Sequence, residues 1–183
     1  KATISAGSNR KDGLGMDKRT GEILEFDRVR AMLADRTDTQ LGREQAAALR
    51  PAEDLATVSA WQKETSEAKA VMGRFADIPF GGIKNLHPSL RRAAVSGTLE
   101  PGELLDVADT LGGGRRLKAF LLESGGDYPV LAAYAESIVL LNSVESGIRE
   151  CINDYGEVMD TASDELARLR KQIRAANSRI RER

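Results

Sequence analysis

Four groups of residues in this chain have types and spacings from which chemistry could be built. The run GGGRRLK at 112–118 holds the glycines and cations of a phosphate cradle. It lacks the order G-x-x-x-x-G-K-[ST], and the residues before the glycines have a helical apolar spacing where a phosphate loop needs a strand, so it reads as a helix bend with solvated basic residues. Glu103, Asp106 and Asp109 stand three apart. Their carboxylates could converge on a divalent cation, but the same spacing is that of a solvated helix face. Asp154, Glu157 and Asp160 raise the same possibility without the D-x-[DN]-x-[DN]-G order of a calcium loop. His87 is the only histidine, followed by Pro88. With no second His or Cys at ligand spacing and no Ser or Cys partner, it reads as a loop histidine bonded to backbone. Cys151, near Ile148 and Ile152, reads as a small buried apolar residue ahead of a nucleophile. These residues yield no catalytic, cofactor-binding or metal-binding set.

The fourth group is the stretch 152–183. From Leu166 the apolar residues Leu166, Leu169, Ile173, Ala176 and Ile180 recur at 3,4,3,4 spacing, a narrow stripe on one helix face that calls for an apolar partner. Against that seam stand Arg168, Arg170, Lys171, Arg174, Arg179, Arg181 and Arg183. Arg168, Lys171, Arg174, Arg179, Arg181 and Arg183 are the candidates for nucleic-acid contact, the alternative being the charged outer surface that any coiled-coil helix needs. Ser163 can cap the helix, with Asp164 and Glu165 set against the positive end of its dipole. No Gly, Asn or Pro follows Ile180, so the expectation is a fragment cut through a long helix. The seam's partner could be upstream helices, a second copy, or a helix lying downstream.

Composition bounds the rest. A hydrophobic fraction of 41% and a charged fraction of 30% are ordinary for a globular chain, large enough here for one well-buried domain or a domain plus an arm. Aromatic residues make up only 4%, which removes the stacking platforms of single-strand binders. A lone cysteine excludes an internal disulfide framework and points to a reducing cytoplasm, and no apolar run approaches membrane-spanning length. The net charge of −1 divides into +3 over residues 1–19, −8 over 20–162 and +4 over 163–183. An acidic body argues against a broad nucleic-acid surface there and leaves the last helix as the place for polyanions.

The elements that must position these groups are mainly α-helical. Residues 1–15 read as a flexible, vector-derived leader, with Met16 a natural start. Thr20 to Ala34 has a helical pattern, with a break where Asp27 could cap a second turn, and Thr39 can cap a short helix that stops before Pro51. A longer helix runs from about Asp54 to Phe75 with Asp54 as N-cap, and Leu55, Val58, Trp61 or Gln62, Thr65, Ala68, Met72 and Phe75 on its inner side. ADIPFGGIKNLHPSL at 76–90 is too rich in Pro and Gly for a helix and too apolar for a free linker, so it reads as a packed loop that pairs at most briefly as a strand. A short helix from Leu90 to Val95 ends at Gly97, and Pro101 opens another. Its apolar face (Leu104, Val107, Ala108, Leu111) turns by roughly 140° to that of Leu117, Phe120 and Leu121 across the glycines, marking a bend or a handover between packing partners. Helices begin near Pro129 and Ser143, and a small hairpin turns at Asp154, Tyr155 and Gly156 between Ile152 and Val158. The expected organisation is a leader at 1–15, a helical core at 16–162 with at most a vestige of sheet, and at 163–183 the base of a long helix.

The blocks ILEFDRVRAML at 23–33, PFGGIKNLHPSLRRA at 79–93, ELLDVADTL at 103–111 and DYGEVMDTASDELARLRKQI at 154–173 together resemble the beginning of the bacterial MutS paralogue family of the second type. Those proteins lack the mismatch-reading and connector domains and carry a C-terminal Smr nuclease domain. The resemblance implies that this region is a helical core whose final helix starts a lever arm climbing to a clamp, and that an antiparallel helix returns to an ABC-type ATPase domain that dimerises. It implies a parent protein that binds branched or double-stranded DNA to suppress homologous recombination, or acts on collided ribosomes. ATP and Mg would belong to the ATPase domain, and the Walker, signature and Smr residues would all lie beyond Arg183. No catalytic residue carries over to this chain. One departure is the triple glycine, where the family's segment continues as good helix.

Overall fold

The computed structural model describes residues 18–124 and 127–181, the side chain of Lys18 excepted. The chain is mainly α, with 71% of the described residues helical. Its helices are α1 (Lys18–Ile23), α2 (Phe26–Ala34), α3 (Gln40–Ala48), α4 (Leu55–Arg74), α5 (His87–Ala94), α6 (Pro101–Glu123), α7 (Pro129–Ser137), α8 (Asn142–Cys151) and α9 (Asp164–Arg181). Among the described residues no strand forms, and one antiparallel bridge joins Ile152 to Val158 where the hairpin was expected. The expected leader at 1–15 and the start at Met16 lie outside the described residues. The described residues belong to two compact units, one drawn from Lys1–Asp38 and Gly42–Ser66, the other from Thr39–Leu41 and Glu67–Arg183.

In the first unit the break between α1 and α2 falls two residues before Asp27. Glu25 takes φ 50°, in the left-handed region, and closes α1 by donating its amide to Glu22 O (3.2 Å) while its own carbonyl accepts from Arg28 N (2.9 Å). Asp27 lies inside the first turn of α2 and pairs with Arg30. Arg30 also lies 5.7 Å over the Phe26 ring and donates to Ala47 O at 2.8 Å, tying α2 to the end of α3. Asp54 caps α4 as its position predicts. Its Oδ2 accepts from the Thr57 hydroxyl (2.7 Å) and the Thr57 amide (2.8 Å), and these bonds hold its carboxyl below the usual range.

The second unit is organised on α6. Glu100 and Glu103 close a capping box at its start, with Glu100 N donating to Glu103 Oε2 at 2.9 Å. The helix then runs 23 residues without interruption through Gly112, Gly113 and Gly114. The expected bend is therefore replaced by an unbroken helix, and the glycines have another purpose. Gly112 and Gly113 are buried. A Cβ on Gly113 would sit 2.9 Å from Gly81 O and 3.0 Å from Ile83 Cγ1, and one on Gly112 would sit 2.8 Å from Glu145 Oε1. Absence of side chains lets the loop between α4 and α5 lay its backbone on the helix. Gly82 supplies the left-handed φ of +88° that this loop needs. Arg116 donates to Gly81 O (2.9 Å), Lys84 N donates to the Thr110 hydroxyl (3.1 Å), and the Lys84 ammonium pairs with Asp106. The loop is thus packed as expected, on a helix and without strand pairing. The expected handover is present too. From Asp106 to Arg116, across the glycines, α6 meets the loop and α8, while from Lys118 onward Lys118 donates to Glu136 O (3.2 Å) and Ile138 O (2.7 Å) at the end of α7, and Phe120 meets Phe75 edge-on at 5.0 Å.

The inward face of α4 differs from its expected one. Glu67 and Val71 are buried, and Val58, Ala68 and Phe75 of the expected face are half-buried, whereas Leu55, Trp61 and Met72 are exposed. The buried stripe is turned by about one residue, roughly 100°. Glu67 is the reason. Helix α7 begins with Pro129, which has no N–H, and Tyr128 before it offers no side-chain cap. The next two amides, Val130 N (2.8 Å) and Leu131 N (3.1 Å), both donate to Glu67 Oε2. A carboxylate from α4 therefore caps α7, and the dipole of α7 favours its charge.

Two measurements check these contacts. Gly113→Ala should lower stability by about 1–3 kcal/mol in urea unfolding, because overpacking against a backbone carbonyl outweighs the helix propensity gained. Gly114→Ala, whose Cβ would meet nothing nearer than Ile138 Cγ2 at 3.9 Å, should instead raise it by up to about 1 kcal/mol. Glu67→Ala should cost about 1–3 kcal/mol by leaving two amides without an acceptor, with hydrogen-exchange protection lost first at Val130 and Leu131.

Candidate seam and basic face on the last helix

Helix α9 is fixed at its root by polar bonds that begin in the turn before it. After the Ile152 to Val158 bridge, Met159 N donates to Cys151 O (2.8 Å) and Asn153 N to Glu157 O (3.0 Å), with Gly156 at φ +79° making the turn. A single 3-10 turn, Asp160–Ala162, follows, and the Thr161 hydroxyl donates to Glu150 O at 2.6 Å. Ser163 then caps α9 as expected, its Oγ accepting from Leu166 N at 3.1 Å. Two arginines of α9 reach back to the same turn. Arg170 Nη1 donates to Asp160 Oδ1 and to Val158 O, both at 2.8 Å, and Arg174 Nη2 donates to Asp160 Oδ2 at 3.2 Å. The Arg170 bond, then the Arg174 bond, hold the Asp160 carboxyl below the usual carboxylate range.

Beyond that root the seam comes into the open. Leu166 is half-buried, but Leu169, Ile173, Ala176 and Ile180 are exposed, Ile180 to 72%. The basic candidates divide. Arg174 is engaged by Asp160, and Arg168 lies 3.7 Å from Glu165 one turn earlier. Lys171, Arg179 and Arg181 are exposed and meet no carboxylate within 4.0 Å among the described residues. Arg183 lies outside the described residues. Sequence reasoning set Arg170 among the outward charges; its part in fixing the root was not visible, because Asp160 lies ten residues away across a turn.

The other residues with chemical potential are already occupied. Glu103 receives its own helix's cap amide, the Ser89 hydroxyl (2.9 Å) and both Nη atoms of Arg92 (2.9 Å each), and the cap bond foremost keeps its carboxyl low. Asp106 holds Lys84, and Asp109 holds Arg149 at 2.9 Å. The three carboxylates therefore diverge to three cations from three different segments. Glu157 accepts from the Asn153 side-chain amide at 2.9 Å, and Asp154 lies 4.0 Å from Arg149. In the run 112–118, Arg115 bonds Glu145 (3.2 Å), Arg116 bonds Gly81 O and Lys118 bonds two carbonyls, so its cations secure packing. His87 is the first residue of α5, where its amide donates to Asn85 Oδ1 at 3.1 Å. Cys151 is half-buried at the end of α8.

No family model matches the chain. Curated proteins do match it along most of its length. It is 42% identical over 170 residues to the endonuclease MutS2 of Geobacillus sp. (strain WCH70), which takes in 91% of this chain. It is 44% identical over 168 residues to the endonuclease MutS2 of Symbiobacterium thermophilum and 39% identical over 170 residues to that of Bacillus cereus (strain Q1), taking in 92% and 91% of this chain. The chain belongs to the MutS2 family. It spans about a fifth of the length of these MutS2 relatives, 21% to 22%. No helix among the described residues is long and apolar enough to cross a membrane.

Asp160 gives the root of α9 a pH signature. Its carboxyl is depressed in the folded chain, so its contribution is present above the unperturbed value of 3.8 and is lost as pH falls through the lower folded value. Hydrogen-exchange protection at the start of α9 should fall on acidification below that value. Asp160→Asn should show the weaker protection already at neutral pH and lose the acid step.

Proposed function

We propose that this chain is the non-catalytic core and lever base of a MutS2-type protein, coupling the nucleotide state of an ATPase domain to a clamp on DNA or on the ribosome. In this reading the 183 residues hold neither ATP nor Mg and perform no hydrolysis. Endonuclease and ATPase chemistry belong to other parts of the parent, and so does homodimerisation. One observation carries the reading: α9 is rooted by hydrogen bonds to Ser163 and Asp160, and its apolar seam is then left open from Leu169 onward. A helix held at one end, with an uncovered stripe along its length, suits an arm that transmits motion through a second helix packed beside it. Lys171, Arg179 and Arg181, exposed and without a carboxylate in reach among the described residues, support a location near polyanions.

The full-length protein tests this. Leu169→Asp with Ile173→Asp should leave ATP turnover within about threefold while abolishing the effect of nucleotide on retention of branched DNA. Unchanged nucleotide dependence would overturn the coupling role. ATP hydrolysis by the purified 183-residue chain, surviving contaminant controls, would overturn the non-catalytic assignment. The second reading is a self-associating or partner-binding helical module that uses Leu166, Leu169, Ile173 and Ile180. It predicts that the same double substitution turns an oligomer of the 183-residue chain into a monomer in sedimentation.

A further inference from the structure

The first unit leaves an apolar face of α2 uncovered, and the charges beside that face are placed symmetrically about its middle. Phe26, Arg30 and Ala34 are half-buried, on the side where Arg30 donates to Ala47 O at 2.8 Å. About 100° around the helix from that side, Val29, Met32 and Leu33 share an arc of roughly 100°. All three are exposed, Met32 to 61%, and Ile23 and Leu24 just before α2 are exposed as well. Large apolar side chains gathered in the open within one short stretch mark a contact surface.

Arg28 and Asp35 both stand on the border of this arc beyond Met32, within about 20° of each other around the helix. They are two turns apart, and their midpoint falls between Ala31 and Met32, in the middle of the apolar face. Glu25 and Arg36, at the two ends of α2, have nearly the same midpoint. Asp35 and Arg36 meet no opposite charge within 4.0 Å among the described residues. Arg28 lies 3.1 Å from Glu25, but both side chains are open to water, so that pair is weak and free to exchange.

A two-fold axis through this midpoint, perpendicular to the helix, lays a second α2 antiparallel on the first and turns each border toward its own counterpart. Each Arg28 then meets Asp35 of the other copy, while Val29, Met32 and Leu33 of both copies close on one another. Parallel packing would set Arg28 against Arg28 and Asp35 against Asp35, which opposes association. A two-fold contact requires a surface complementary to itself, and α2 has that property in the antiparallel orientation alone.

We propose that the exposed face of α2 is a contact between two copies of this chain, antiparallel and two-fold. The apolar side chains supply the attraction and the Arg28 to Asp35 pairs select the orientation. This contact does not depend on the lever reading, and it lies within these 183 residues, apart from the homodimerisation assigned to the rest of the parent. A face this small belongs with transient associations.

Sedimentation equilibrium of the 183-residue chain should show a mass rising toward twofold as its concentration goes from about 5 to about 300 µM. Val29→Asp with Leu33→Asp should hold the chain at monomer mass with its helical circular dichroism unchanged. Charge variants test the orientation without touching the apolar face. Arg28→Asp alone and Asp35→Arg alone should each weaken self-association by about fivefold or more. Mixed in equal amounts, these two variants should associate again, because the acidic border of one then faces the basic border of the other. Arg28→Asp combined with Asp35→Arg in one chain should restore the association of the unsubstituted chain. A chain that stays monomeric at the highest concentration, single variants that associate undiminished, or a mixture that stays monomeric would each overturn the proposal. So would a dimer that Leu169→Asp with Ile173→Asp dissolves and Val29→Asp with Leu33→Asp does not, since self-association would then belong to the α9 seam. In the full-length protein carrying Cys151→Ser, a short bis-maleimide should join Met32→Cys to itself across two copies, as mapped by mass spectrometry, and should not join Leu55→Cys, exposed on α4. Absence of the first link, or equal linking of both, would overturn the contact in the parent.

Discussion

The second unit depends on how closely a loop backbone can approach the middle of α6. Gly113 and the Gly81 carbonyl are near enough that one methyl group would not fit between them, and Gly112 gives the same clearance to the Glu145 carboxylate. Glycine in a helix interior costs about 1 kcal/mol relative to alanine. The helix forms through three of them in succession because both ends are well specified: a capping box closes its start, and apolar packing against Phe75 and α7 fixes its second half. The local weakness is accepted where it permits interlocking that no larger residue would allow.

Around that approach, polar bonds give direction where apolar burial is thin. No large apolar side chain among the described residues is fully buried. The acidic face of α6 compensates by meeting a cation from each neighbour in turn: Arg92 at the end of α5, Lys84 in the loop, Arg149 on α8. Glu145, largely covered, then sits between Arg115 and Arg149, and the Arg115 bond foremost keeps its carboxyl low. Exposed pairs of this kind are each worth little, about 0–1 kcal/mol. Their value lies in register, since each carboxylate accepts only the segment whose cation reaches it.

Features fixed by near neighbours were legible in the sequence, and features fixed by distant ones were not. Asp54, Ser163, Pro101 and Pro129 mark helix starts through bonds within three residues or through a fixed φ, and the structure has helices where they point. The turn between Ile152 and Val158 was readable for the same reason. The glycines of α6 were not, because glycine can mean bending or close approach, and a loop some thirty residues upstream decides between them. The inner face of α4 was displaced by Glu67, whose partners lie more than sixty residues away and whose type gives no hint of burial. At the candidate site the seam was visible as spacing alone. That Arg170 and Arg174 anchor the helix, while Lys171, Arg179 and Arg181 meet no carboxylate among the described residues, required the position of Asp160.

The Glu67 cap also bears on the order in which the chain assembles. A nine-residue helix that opens with proline and has no cap of its own is poorly populated in an unfolded chain. Its acceptor arrives from 63 residues upstream, so the cap of α7 waits for a loop closure of that length. Helix α4, 20 residues long and capped by its own Asp54, can form early from local contacts. The ordering of α7 therefore reports that the unit has closed, and the late step in forming this unit is the arrival of one carboxylate at two amides.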